Sequence, residues 1–117
     1  MRRYFEVAGR ALADSDYEQG CPVATVALEQ ASLDTAVTTS TRTAMTAWSG
    51  LWADAFSAAG VPIDRAEELG TLVVVNVEGA LLLSRVTRTL RPLELAAEST
   101  AALLNLELQD RPVDARS

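Results

Sequence analysis

The stretch "TLVVVNVEGALLLSR" (residues 71–85) decides the fold. Its first half, "TLVVVNV", has the β-branched content of a strand. Its flanks, "DRAEEL" before and "GALLLSRV" after, read as helix, and the chain offers no second strand to pair with it. A lone strand has nowhere to place its backbone hydrogen bonds, so the stretch is assigned to a helix. At about 100° per residue two apolar faces then separate. Leu72, Val75, Gly79, Leu82 and Val86 lie on one side, spaced three and four in alternation, which is the seam pattern of a helix bundle. Leu69, Val73, Val77, Ala80 and Ser84 line the other. Glu67, Glu78 and Arg85 form a stripe along one edge between the faces, and Asn76 sits on the opposite edge. Glu78 is expected to stay solvated or to pair with an arginine.

Outward from this helix, breaks at 14–22, 59–64 and 89–92 each hold Gly or Pro. They divide the chain into about five helices, an all-α helical bundle. Tyr4, Phe5, Ala8 and Leu12 share one face of the first helix. Pro22 suits the first turn of a short helix running to about residue 31. From about Asp34 to Ala59, Val37, Thr41, Ala44, Met45, Trp48, Leu51, Trp52, Ala55 and Phe56 recur at helical spacing, with Ser49 on the far side. Gly60 supplies a C-terminal cap. Asp64 and Glu67 resemble a capping box that opens the next helix. Pro92 opens the last, which reaches about Leu106. The expected organisation is one helical domain over residues 1–106 and a flexible polar tail over 107–117.

A helix with two apolar faces needs two coverings. One is its own chain; the economical source of the second is a partner subunit, in a four-helix bundle built from this helix and the last one of each protomer. The competing reading is a central helix wrapped by its own chain alone. The dimer candidates are Leu72, Val75, Gly79, Leu82 and Val86, joined from the last helix by Leu93, Thr100 and Leu104.

Composition narrows the chemistry. The 117 residues carry a net charge of −6, and a phosphate-binding surface needs a basic face. There is no histidine and one cysteine, so histidine general bases and Ser–His or Cys–His pairs are missing, and the carboxylates left as metal ligands suit harder ions than zinc and most transition metals. No glycine-rich phosphate loop is present. The chain is expected to be no enzyme, with no cofactor and no metal. "MRRYFEVAGR" lacks a signal-peptide core, and the apolar run from Leu69 to Leu83 is shorter than the ~20 residues of a membrane span. A soluble cytoplasmic protein with no membrane partner is the expectation. Cys21, just before Pro22, has two readings: a thiol activated at a helix N-terminus, or a small buried hydrophobe. The Met45, Trp48, Trp52 and Phe56 stripe is likewise either plain core or the wall of a cavity.

"GCPVATVALE" (20–29) followed by "AWSGLWADAFSAAGVPIDRAEELGTLVVVNVEGALLLSRVTRTLRPLELAAE" (47–98) resembles the C-terminal domain of TetR-family transcriptional regulators, of the LmrA/YxaF-like subgroup. The likeness covers most of residues 14–104. It implies an all-helical homodimer whose C-terminal domain binds a small hydrophobic effector and dimerises, while an N-terminal helix-turn-helix domain binds operator DNA. Nothing in these residues resembles that helix-turn-helix domain, so operator DNA is expected to be reached only through a domain not present here. The candidate ligand contacts are Phe5, Met45, Trp48, Trp52 and Phe56 as walls, with Thr41 and Asn76 as polar groups. The alternative is a freestanding helical dimer that serves as a structural or protein-interaction module without ligand.

Overall fold

The computed structural model describes residues 1–30 and 33–110. Among them every regular element is a helix: α1 (Arg2–Asp14), α2 (Pro22–Gln30), α3 (Thr35–Ala58), α4 (Ile63–Thr87) and α5 (Arg91–Gln109). The final turn of α5 runs past Leu106 to Gln109 with Asp110 as its C-cap, and residues 111–117 of the expected tail lie outside the described residues.

Local chemistry sets the boundaries. The Asp34 carboxylate accepts from the backbone N–H groups of Ala36 (2.8 Å) and Val37 (3.2 Å), two of the donors a helix start leaves open. At the far end of α3, Gly60 takes φ 93°. That left-handed conformation lets the Val61 N–H reach back to the Phe56 carbonyl at 3.0 Å and end the helix. The expected capping box at Asp64 does not form. Pro62 is the N-cap and has no N–H to lose, so α4 already begins at Ile63 and Asp64 lies inside the first turn.

α4 is the central helix, packed most extensively on α3 and also on α5 and α1. Its two faces part as the wheel separates them. Val73 (2 % exposed), Val77 (0 %), Leu69, Ala80 and Ser84 are buried with Phe5, Leu12, Phe56 and Leu93 in one core. Length and composition alone would let this 25-residue helix cross a membrane, a closer match than the shorter apolar run suggests. Its buried face is instead that of a core helix. Gly70 is the point of closest approach to α3. A Cβ there would run into the Ser49 carbonyl oxygen and stand 2.9 Å from the Ala53 nitrogen. The α3 surface that meets α4 therefore includes Ser49 and Ala53, while Leu51, expected inside, is 69 % exposed.

α4 and α5 are antiparallel. Arg65 near the start of α4 binds Glu107 near the end of α5 (Nε to Oε1 2.8 Å). Further along, the Asn76 amide donates to Thr100 Oγ1 at 3.0 Å. The turn after α4 is tied to the loop after α1, and non-glycine residues on both sides of the junction hold positive φ: Asp16 and Tyr17 after α1, and Arg88 at the end of α4. The Arg88 guanidinium binds the Asp16 carboxylate at 2.6 Å and its carbonyl at 3.1 Å, and lies 5.5 Å from the centre of the Tyr17 ring. The whole is a slab, 49 × 34 × 16 Å, with a radius of gyration of 15.9 Å. A compact chain of this length would have about 13 Å.

Candidate ligand cleft and uncovered helix face

A cleft of about 430 Å³ opens between α2, α3 and α4. Cys21, Thr25 and Leu28 form one wall, Met45 reaches in from α3, and α4 supplies Glu78, Leu81, Leu82 and Arg85. These positions follow from helix geometry: 78, 81, 82 and 85 fall on one stripe of α4 at three- and four-residue spacing. The lining is largely apolar; besides Cys21 its polar members are Thr25, whose hydroxyl donates to the Cys21 carbonyl at 3.0 Å, Arg85, and Glu78, whose Oε1 is buried and has no hydrogen-bond partner among the described residues. Glu78 is thus not solvated at both oxygens, and no described arginine pairs with it. α2 and the Cys21 segment cover it, and that covering is a tertiary event which no helix wheel contains.

The neighbours register its charge. Burial pushes the Cys21 thiol above its ordinary value. The backbone N–H groups of Ala24 and Val23 pull it down, while a hydrogen bond to the adjacent Glu78 carboxylate and the charge of that carboxylate push it up again, and the net direction is up. Cys21 is half-buried, and desolvation outweighs the helix N-terminus there, which runs against an activated thiol. The Tyr4 hydroxyl is pushed up to about 12, first by burial and then by the charge of Glu78 and the thiol of Cys21. Both groups stay protonated at neutral pH. Among the described residues no cluster of metal ligands assembles.

The expected ligand contacts do not converge here. Met45 lines the cleft. Phe5 and Phe56 are buried in the core. Trp48 and Trp52 pack around Tyr4, with ring centres 5.8 and 5.3 Å away, and Trp52 stacks on Phe56 at 6.3 Å. The Thr41 hydroxyl donates to its own helix, to the carbonyls of Val37 (2.9 Å) and Thr38 (3.1 Å). Asn76 is engaged with Thr100 on the other side of α4. The sequence assigned Glu78 to solvent or an arginine and Tyr4 to a helix face, and neither to a ligand site. The available signal was that Glu78 is the only charge between Leu69 and Ser84.

The opposite side of α4 is uncovered. Leu82 (59 % exposed), Val86 (72 %), Leu72 and Val75 face outward, and a Cβ on Gly79 would meet nothing within 4 Å. On α5 the exposed apolar residues are Leu95 and Leu106, which share a helix face with Ser99 and Ala102. Leu93 and Thr100, expected on that seam, are buried within their own chain, and Leu104 is half-buried. The reason is local: Leu93 packs over Gly9 of α1, and Thr100 is held by Asn76. The outward face of α5 therefore runs two residues out of step with the expected one. A groove of about 520 Å³ lies between the helices on this side, bordered by Val75, Gly79, Leu83 and Leu95.

Comparison with known proteins accounts for this architecture. The family described as transcriptional regulator LmrA/YxaF-like, C-terminal domain, matches residues 1–99. Two curated proteins, uncharacterised HTH-type transcriptional regulators from two strains of Mycobacterium tuberculosis, are each 38% identical to it over 105 residues. The matched region is 86% of this chain and 54% of each relative, so the chain spans about half the length of the curated relatives it matches. No solved structure matches significantly. The five-helix fold and the match over nearly its whole length place the chain in the TetR family of transcriptional regulators, as a C-terminal domain of the LmrA/YxaF-like group.

Proposed function

We propose that this chain is the effector-binding and homodimerisation domain of a TetR-family repressor. The observation that carries the reading is the division of α4 into a buried face, an uncovered apolar face and a cleft-lining stripe. The uncovered face fits a second copy of the chain, which would pair two α4–α5 hairpins as a four-helix bundle. Leu72, Val75, Gly79, Leu82 and Val86 would supply α4's contribution, and Leu95 and Leu106 that of α5. The cleft fits a small, mostly apolar effector. Gly79 and Leu82 belong both to the cleft and to the uncovered face, so a bound molecule would favour one packing of the two protomers over another. In a longer protein that shift would change the spacing of two helix-turn-helix domains on operator DNA. The role is non-catalytic and cytoplasmic.

Two measurements test this. Sedimentation should give a dimer for the wild-type chain and a monomer for Gly79→Arg. The substituted side chain has open space in the single protomer, so helical content should be unchanged. A dimer surviving that substitution would assign the face wrongly. Native mass spectrometry after gentle purification should show a retained small molecule; a ligand-free dimer that binds nothing in a screen would leave a structural or interaction module instead.

A further inference from the structure

We infer that the molecule recognised in the cleft between α2, α3 and α4 is an apolar compound carrying a protonated amine, held by the Glu78 carboxylate. This rests on the effector-binding reading above and names the class of ligand. Glu78 Oε1 is buried without a hydrogen-bond partner among the described residues, in a lining that otherwise offers Leu28, Met45, Leu81 and Leu82. An ionised carboxylate withdrawn from water is costly unless an opposite charge or hydrogen-bond donors compensate it.

Among the described residues no cation pairs with this carboxylate. The chain has no lysine and no histidine, and the described ion pairs are made by Arg65, Arg88 and Arg91, none of them with Glu78. Arg85 lies at the rim, roughly 10 Å further along the helix axis, where it reaches toward Gly20. Cys21 already hydrogen-bonds the Glu78 carboxylate, but through a weak, neutral S–H donor that brings no positive charge. An ammonium group satisfies all the requirements at once: it is a cation, it donates up to three hydrogen bonds, and its apolar body fills the remaining lining. A carboxylate ligand would meet repulsion from Glu78 and from a chain of net charge −6.

A matched series decides the matter: 1-adamantanamine, 1-adamantanol and 1-adamantanecarboxylate present one apolar cage with a cation, a neutral hydroxyl and an anion. Calorimetric titration of the complete chain at pH 7 should rank them amine, alcohol, carboxylate, with the amine about tenfold or more tighter than the alcohol. Glu78→Gln, checked for helical content, should bring the amine down to the alcohol. Bound amine should also slow alkylation of Cys21, which locates it in this cleft. The inference is overturned if the amine binds no better than the alcohol, keeps its advantage in Glu78→Gln, or leaves Cys21 alkylation unchanged. Binding of the alcohol or the carboxylate in preference to the amine would sink the charge assignment and keep the effector cleft. No binding by any of the three at millimolar concentration would remove the cleft as a ligand site, and the inference with it.

Discussion

Gly70 and Gly79 stand on the same helix and have opposite meanings. At 70 the missing side chain is what allows α3 and α4 to touch, because any Cβ would collide with backbone atoms of Ser49 and Ala53. Backbone cannot swing aside as a side-chain tip can. Gly70→Ala is expected to destabilise the chain by about 2 kcal/mol or more despite the better helix propensity of alanine. Urea denaturation checks this; a neutral or stabilising effect would mean the two helices do not cross there. At 79 nothing lies within reach, and the same change to alanine should stabilise the isolated protomer by about 0.5–1 kcal/mol through propensity alone. The sequence presents both as glycines in a helix; only the neighbour separates them. Asp16, Tyr17 and Arg88 make the related point for conformation. Each holds a positive φ that glycine would adopt without cost, and the Arg88 contacts with the other two hold the strained junction together.

Among the elements, α4 was the most legible. Its apolar positions are numerous and differ in angle, so a wheel separates a buried face from an outward one without any knowledge of neighbours. α5 was less so: Leu93 and Leu95 are both apolar, and the choice between them depends on Gly9 of α1 opening a seat for Leu93. The cleft was least legible, since Glu78 becomes a buried acceptor only when α2 is laid over it. The end of α5 is fastened by Glu107, whose carboxyl is held below its ordinary value by the hydrogen bonds from Arg65 and, in smaller part, its charge. A depressed carboxyl pKa stabilises the folded state above the unfolded value, near 4.3 for glutamate, and that contribution fades as pH falls through the lower folded value. Glu107→Gln should therefore be less stable than wild type at pH 7, and the gap should narrow steadily as pH falls below the unfolded value. Denaturant titrations over a descending pH series show this directly; a gap that does not narrow in acid would place the effect in packing instead of charge.

As a whole molecule, the chain is a slab 16 Å thin in one direction, which leaves α4 with a covered side and a bare one. The net charge of −6 on each copy opposes their approach, so added salt should tighten any pairing through that bare side. The thinness has a further effect at α2. None of its residues is buried, and Leu28 is 82 % exposed, yet this helix forms a wall of the cleft. A segment with so little apolar anchorage opens at a small free-energy cost, far below that of unfolding the core. Amide hydrogens of α2 should exchange with solvent deuterium well before those of α4, and occupation of the cleft should slow them selectively. Equal exchange in the two helices would mean that α2 is held by more than the contacts seen here. With the unequal rates, the entropy lost in stilling α2 would become part of any binding in the cleft, and a ligand would be sensed through the order it imposes on a wall that is otherwise free to breathe.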